Sequence, residues 1–129
     1  METNFAPEAV RHAVKAAQDK KAADIVVLDL RAAAAFTDYF LLCTGASSRQ
    51  IHAIADAVEE QLDRMGLAPL HVEGDEFAEW VLLDYLDFVV HIFSPRARAY
   101  YDLERLWRAA RRLPVPEEIV RAPKLRPGG

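Results

Sequence analysis

Apolar and polar positions along this chain follow two periods, and the switches between them mark out the elements. From Pro7 to Lys21, Val10, Ala13, Val14 and Ala17 recur at helical spacing, with Lys15, Lys20 and Lys21 mostly opposite and proline at the first helical position. This is a first amphipathic helix. Asp24 to Leu30 carries Ile25, Val26, Val27 and Leu28 in succession, too short and too β-branched for a helix, and predicts a buried strand. A connector over Arg31 to Thr37 leads into Tyr39, Phe40, Leu41, Leu42 and Cys43, a second apolar strand ending at Thr44 and Gly45. The connector is short enough for an antiparallel pair. Ser47 or Ser48 caps the next helix, where Ile51, Ile54, Ala55, Val58 and Leu62 form one face and Gly66 supplies the stop.

Leu70 to Glu73 predicts a short third strand, and Gly74 to Phe77 a polar bend. The stretch EWVLLDYLDFVVHIF, Glu79 to Phe93, is a nearly continuous apolar run broken by two aspartates and one histidine. It reads as two buried strands, Trp80 to Asp84 and Asp87 to Phe93, joined by a tight reversal. Trp80 at its entrance and Tyr85 and Leu86 at the reversal are large and apolar where a hairpin normally places small polar residues. Ser94 and Pro95 match the cap and first turn of a final helix running to about Arg112, with Tyr100, Leu103, Leu106, Trp107 and Ala110 toward the core and Arg98, Asp102, Arg105 and Arg108 toward water. From Pro114 the chain holds four of its seven prolines and few large apolar groups, which predicts a mobile tail over residues 114–129. The element order predicts one α/β domain over residues 1–113, a mixed β-sheet packed by helices.

Composition narrows the class. A chain of 129 residues fits one domain that hides about two-thirds of its unfolded surface. With 52% apolar and 28% charged residues it falls among globular proteins. The net charge of −4 argues against binding bare phosphate backbone, DNA included, and favours a basic protein as partner. Cys43 is the only cysteine, so no disulfide forms within the chain, and a thiol inside an apolar strand is a small core hydrophobe. The N-terminus lacks an apolar block followed by a small-residue cleavage site, and no run approaches 18 uninterrupted apolar residues. The expectation is a cytoplasmic protein with no membrane segment.

The candidate chemistry is thin. His12, His52, His71 and His91 lie on four separate elements without the HExxH spacing, and the lone cysteine forms no CxxC, so no metal and no cofactor are expected. Thr44 to Ser48 joins a strand to a helix and could cradle phosphate on free N–H groups, which makes a metal-dependent nucleotidyltransferase the enzymatic alternative. That chemistry needs carboxylates at even spacing on one strand face, whereas Asp84 and Asp87 are three apart and suit the flanks of a turn. Ser48 and His52 share a helix face but lack an orienting acid and an oxyanion loop. Trp80, Tyr85 and Leu86 are the candidate contact residues, because tryptophan and tyrosine dominate protein interfaces. Arg96, Arg98 and Tyr101 extend the patch as a rim, although each arginine taken singly also suits a solvated helix face. His91 in mid-strand reads as a hydrogen-bonded structural histidine.

The segments DIVVLDL (Asp24 to Leu30), TDYFLLCTGASSRQI (Thr37 to Ile51), VEG (Val72 to Gly74), EWVLLDYLDFVVHIF and RAYYDLERLW (Arg98 to Trp107), in this order and spacing, resemble the ribosomal silencing factors, also called Iojap-like proteins. The resemblance spans most of residues 8–113. It implies a fold similar to nucleotidyltransferases without their catalytic carboxylates, and no enzymatic activity. It further implies binding to ribosomal protein number fourteen of the large subunit, where it keeps the small subunit from joining when nutrients are scarce, and a homodimer in the free state. By the same resemblance the family's tryptophan falls on Trp80, the aspartates of its Asp-x-Gly-Asp turn on Asp84 and Asp87, and its histidine on His91. Leu86 stands where that turn has glycine. If the position is left-handed, leucine there costs on the order of 1 kcal/mol.

Overall fold

The computed structural model describes residues 5–33 and 35–117. The order of elements is α1 (Glu8–Asp19), β1 (Ala23–Asp29), β2 (Tyr39–Thr44), α2 (Ser48–Asp63), β3 (His71–Glu73), β4 (Trp80–Asp84), β5 (Phe88–Phe93), α3 (Pro95–Tyr101), α4 (Leu103–Leu106) and β6 (Arg111–Leu113). The strands form one mixed sheet in the order β3-β4-β5-β2-β1-β6. β2 and β5 run parallel at its centre, Tyr39 opposite Phe88 and Thr44 opposite Phe93, and the other neighbours are antiparallel. The central pair is buried on both faces, which is why both strands read as nearly continuous apolar runs, interrupted in β5 by His91.

One face of the sheet packs under α1 and α2. Val27, Leu41, Cys43, Leu83, Val90 and Ile92 meet Val10, Val14, Ile51, Ile54, Val58 and Leu62 there, all essentially out of water. The helical stripes read from the sequence are the ones that pack, because side chains three and four apart share a helix face. Ser47 caps α2, its Oγ accepting from the Gln50 backbone N–H at 3.1 Å. The Gln50 side chain then ties α2 to the end of α1, donating to the carbonyls of Lys20 and Lys21. Gly45 is required by closeness: a Cβ there would lie 2.8 Å from Ile51 Cγ1.

The C-terminal third departs from the expected single helix. Asp102 adopts φ 47° and splits it into α3 and α4, and the chain then returns as β6 on the open edge of β1. The break turns Leu103, Trp107 and Ala110 toward the sheet and leaves Tyr100 and Leu106 in water, at 78% and 71% exposure, where the helical pattern had placed them inside. Beyond β6, Val115 packs against the first core, and Gln18 Nε2 donates to the carbonyls of Pro116 and Glu117 at 2.9 and 3.2 Å. The rest of the expected tail, residues 118–129, lies outside the described residues. Among the described residues no helix is long and apolar enough to cross a membrane.

Candidate functional site

The second face of the sheet is only partly covered by α3 and α4, and it is aromatic. Strand alternation brings Trp80, Leu82 and Asp84 of β4 to this face beside Val89, His91 and Phe93 of β5 and Phe40 and Leu42 of β2. Trp80 lies directly opposite Phe93, ring centroids 5.0 Å apart, and also packs against Tyr101 of α3 at 4.5 Å and His91 at 5.8 Å. Phe40 continues the array, edge-on to His91 at 4.5 Å and to Trp107 at 6.1 Å. Trp80 is half-buried and Tyr101 is 49% exposed, so the outer end of the array meets solvent.

His91 anchors this face from inside. Its Nδ1 accepts from Trp80 Nε1 at 3.1 Å, which fixes the indole and places the ring proton on Nε2. Burial pushes its pKa down to about 3, so the imidazole is neutral throughout the physiological range. The structural role expected of His91 is thus half met: Nδ1 is bonded, while Nε2 has no partner among the described residues.

The β4–β5 reversal is a turn of unusual composition. Leu86 has φ 77° and Asp87 N–H donates to the Tyr85 carbonyl at 2.9 Å, the two marks of a classic γ-turn. Asp84 Oδ1 accepts from the Leu86 N–H at 2.8 Å, Thr37 Oγ1 donates to the Leu86 carbonyl at 2.9 Å, and Asp38 N–H donates to that of Asp87. Leu86 projects into water at 63% exposure. Tyr85 does not. It is buried, stacked on Phe88 at 5.0 Å on the α2 side of the sheet, with its pKa raised to about 12 by loss of solvent. The solvated tip expected for it fails because a side chain one residue past Asp84 falls on the opposite sheet face from Trp80 and Asp84.

The two rim arginines divide. Arg96 is exposed and clamps Glu79, which also accepts from Ser94 Oγ at 2.8 Å. Arg98 is an internal strut rather than a solvated residue, donating to the Asp24 carbonyl at 2.6 Å, Thr44 Oγ1 at 3.0 Å and Glu104 Oε1 at 3.0 Å. Ser48 and His52 reach across to the carbonyls of Glu76 and Asp75 instead of forming a pair. Cys43 is fully buried with its thiol pushed up to about 12. Among the described residues no three His, Cys, Asp or Glu side chains stand together as a metal site.

A family model described as "Ribosomal silencing factor during starvation" matches residues 3–127. The chain belongs to the ribosomal silencing factor family. It is 44% identical over 95 residues to the Ribosomal silencing factor RsfS of Bacillus subtilis, covering 74% of this chain and 80% of that one. It is 42% identical over 100 residues to the corresponding protein of Halalkalibacterium halodurans, covering 78% and 86%. The crystal structure of a Chromobacterium violaceum protein superposes with a TM-score of 0.75 at 39% identity, covering 78% of this chain and 83% of that one. The resemblance read from the sequence and the mixed α/β architecture therefore both hold.

On this silencing-factor fold the sequence-predicted residues Trp80, Asp84, His91 and Tyr101 share one sheet face, Leu86 and Asp87 stand at its rim, and Tyr85 lies behind it. Sequence reasoning missed Phe40, Phe93 and Trp107 as members of the array and Leu82 as its half-buried centre. The signal was present in period-2 alternation: Trp80 and Leu82 are two apart, and Phe40 and Leu42 likewise.

Proposed function

We propose that this protein is a translational repressor that works by occupying space. Its open aromatic face docks on the large ribosomal subunit through ribosomal protein number fourteen, and its bulk then fills volume that the small subunit needs, lowering translation when nutrients are limiting. No covalent step is involved. The observation that carries this reading is a half-buried tryptophan, held by His91 and flanked by Tyr101, on the partly covered sheet face of a chain that belongs to the silencing-factor family. Aromatic anchors set in a rigid plate with a polar rim are the usual composition of a binding hot spot. The names of the bacterial relatives support the ribosome as target. In the free state the protein pairs with a second copy through the same face, so self-association and docking compete.

Burial of Trp80 in such a contact is worth about 2 kcal/mol or more, over tenfold in affinity. Trp80→Ala is expected to lose at least about tenfold in co-sedimentation with purified large subunits. Because Trp80 also packs on Phe93 inside the molecule, Tyr101→Ala, at the half-exposed outer edge of the same stack, serves as a second variant, with its fold checked by circular dichroism. Sedimentation of both variants with large subunits at the level of the parent protein contradicts the assignment of this face.

A further inference from the structure

The net charge of −4 conceals a segregation. Residues 1–93 carry seven Lys or Arg against sixteen Asp or Glu, whereas residues 94–129 carry nine against four. The cationic third is where the helix breaks at Asp102, and the break opens a groove of about 710 Å³ along the outer side of α3 and α4. Its walls hold Tyr100, Tyr101, Asp102, Arg105, Leu106 and Arg108.

The arginines of this third fall into two groups. Arg96 is neutralised by Glu79, and Arg98 and Arg112 by Glu104. Arg105 and Arg108, both exposed, make no ion pair among the described residues. Beside them Tyr100 offers a ring that is 78% exposed and held edge-on by Tyr101, centroids 5.0 Å apart. Unpaired guanidinium groups spaced beside an exposed aromatic plane are what a single nucleic-acid strand requires, cations along the phosphates and a platform for a base. An acidic protein segment would satisfy the arginines and leave the tyrosine face without a planar partner. Tyr101 belongs both to the groove and to the stack on Trp80, so the groove opens directly beside the docking face.

We propose that the α3–α4 groove binds single-stranded RNA, Arg105 and Arg108 on phosphates and Tyr100 stacked on a base, as a second contact of the docked protein with exposed RNA of the large subunit. This deepens the ribosome-docking reading and rests on it. A protein on a subunit surface is bordered by RNA, and a second, electrostatic contact there sets orientation and speeds encounter. Among the described residues Asp102 is the one acid lining the groove, and its charge opposes the strand.

The test uses the full chain and a fluorescein-labelled mixed-sequence 12-nucleotide RNA, read by anisotropy across a salt series, with a labelled oligoglutamate peptide as control. The parent is expected to bind the RNA with a salt slope that falls by about 1.4 in the double variant Arg105→Gln, Arg108→Gln, about 0.7 for each phosphate contact. Tyr100→Ala is expected to weaken binding by about fivefold or more. Asp102→Asn, which keeps a residue tolerant of the left-handed conformation, is expected to tighten it, a gain that misfolding cannot mimic. RNA binding that is absent, or indifferent to all these changes, overturns the proposal, and preferential capture of oligoglutamate assigns the groove to an acidic protein instead. In parallel, large subunits are sedimented with parent and double variant. Equal retention of both at every salt concentration overturns the RNA contact while leaving docking intact, whereas no retention of the parent removes the docking reading itself.

Discussion

Leu86 is the residue at which sequence and geometry meet most sharply. A leucine at φ 77° is strained by contact of Cβ with the backbone, about 1 kcal/mol that a glycine would not incur. The turn is held in that shape by three flanking hydrogen bonds, one accepted by Asp84 Oδ1 and two donated by Thr37 Oγ1 and the Asp38 N–H, so the strain is offset by contacts rather than relieved. An apolar side chain kept in water at such a cost points to a use outside the monomer. Leu86→Gly is therefore expected to raise the unfolding free energy by about 1 kcal/mol in urea titrations and to weaken large-subunit binding at the same time. A variant that is both less stable and equally well bound contradicts that account of the turn.

At the scale of elements, β2, β5 and the two long helices were legible because burial on both faces writes a nearly continuous apolar run and burial on one face writes a stripe. The break between α3 and α4 was not, since it depends on one left-handed aspartate and on Arg98 being claimed by Glu104, Thr44 and Asp24, partners remote in sequence. The aromatic face was legible in two of its members, Trp80 and Tyr101, but not in its extent, because the parallel register that sets Phe40 and Leu42 beside β5 is a tertiary fact. β5 also carries a pH response. His91 is held neutral in the fold, its pKa pushed down to about 3 by burial, while the unfolded chain protonates it near the ordinary histidine value of about 6.5. The unfolded state thus binds more protons below that value, and stability is full above about pH 6.5 and falls with pH at up to about 1.4 kcal/mol per unit. His91→Gln keeps an acceptor for Trp80 Nε1 and removes the titration, so its urea midpoint is expected to change less between pH 7 and pH 5 than that of the parent.

For the molecule as a whole, the sheet presents an aromatic face at one end and a cationic groove beside it, with the net negative charge carried by the first 93 residues. That polarity fits a protein that lands on its target in one orientation and acts as an obstacle. The most direct measurement is a sucrose-gradient profile of purified small and large subunits, mixed under joining conditions with the protein in excess. Separate subunit peaks with the protein in the large-subunit fractions are expected, and joined particles restored by Trp80→Ala. Joined particles at full yield in the presence of excess parent protein would contradict that role as an obstacle.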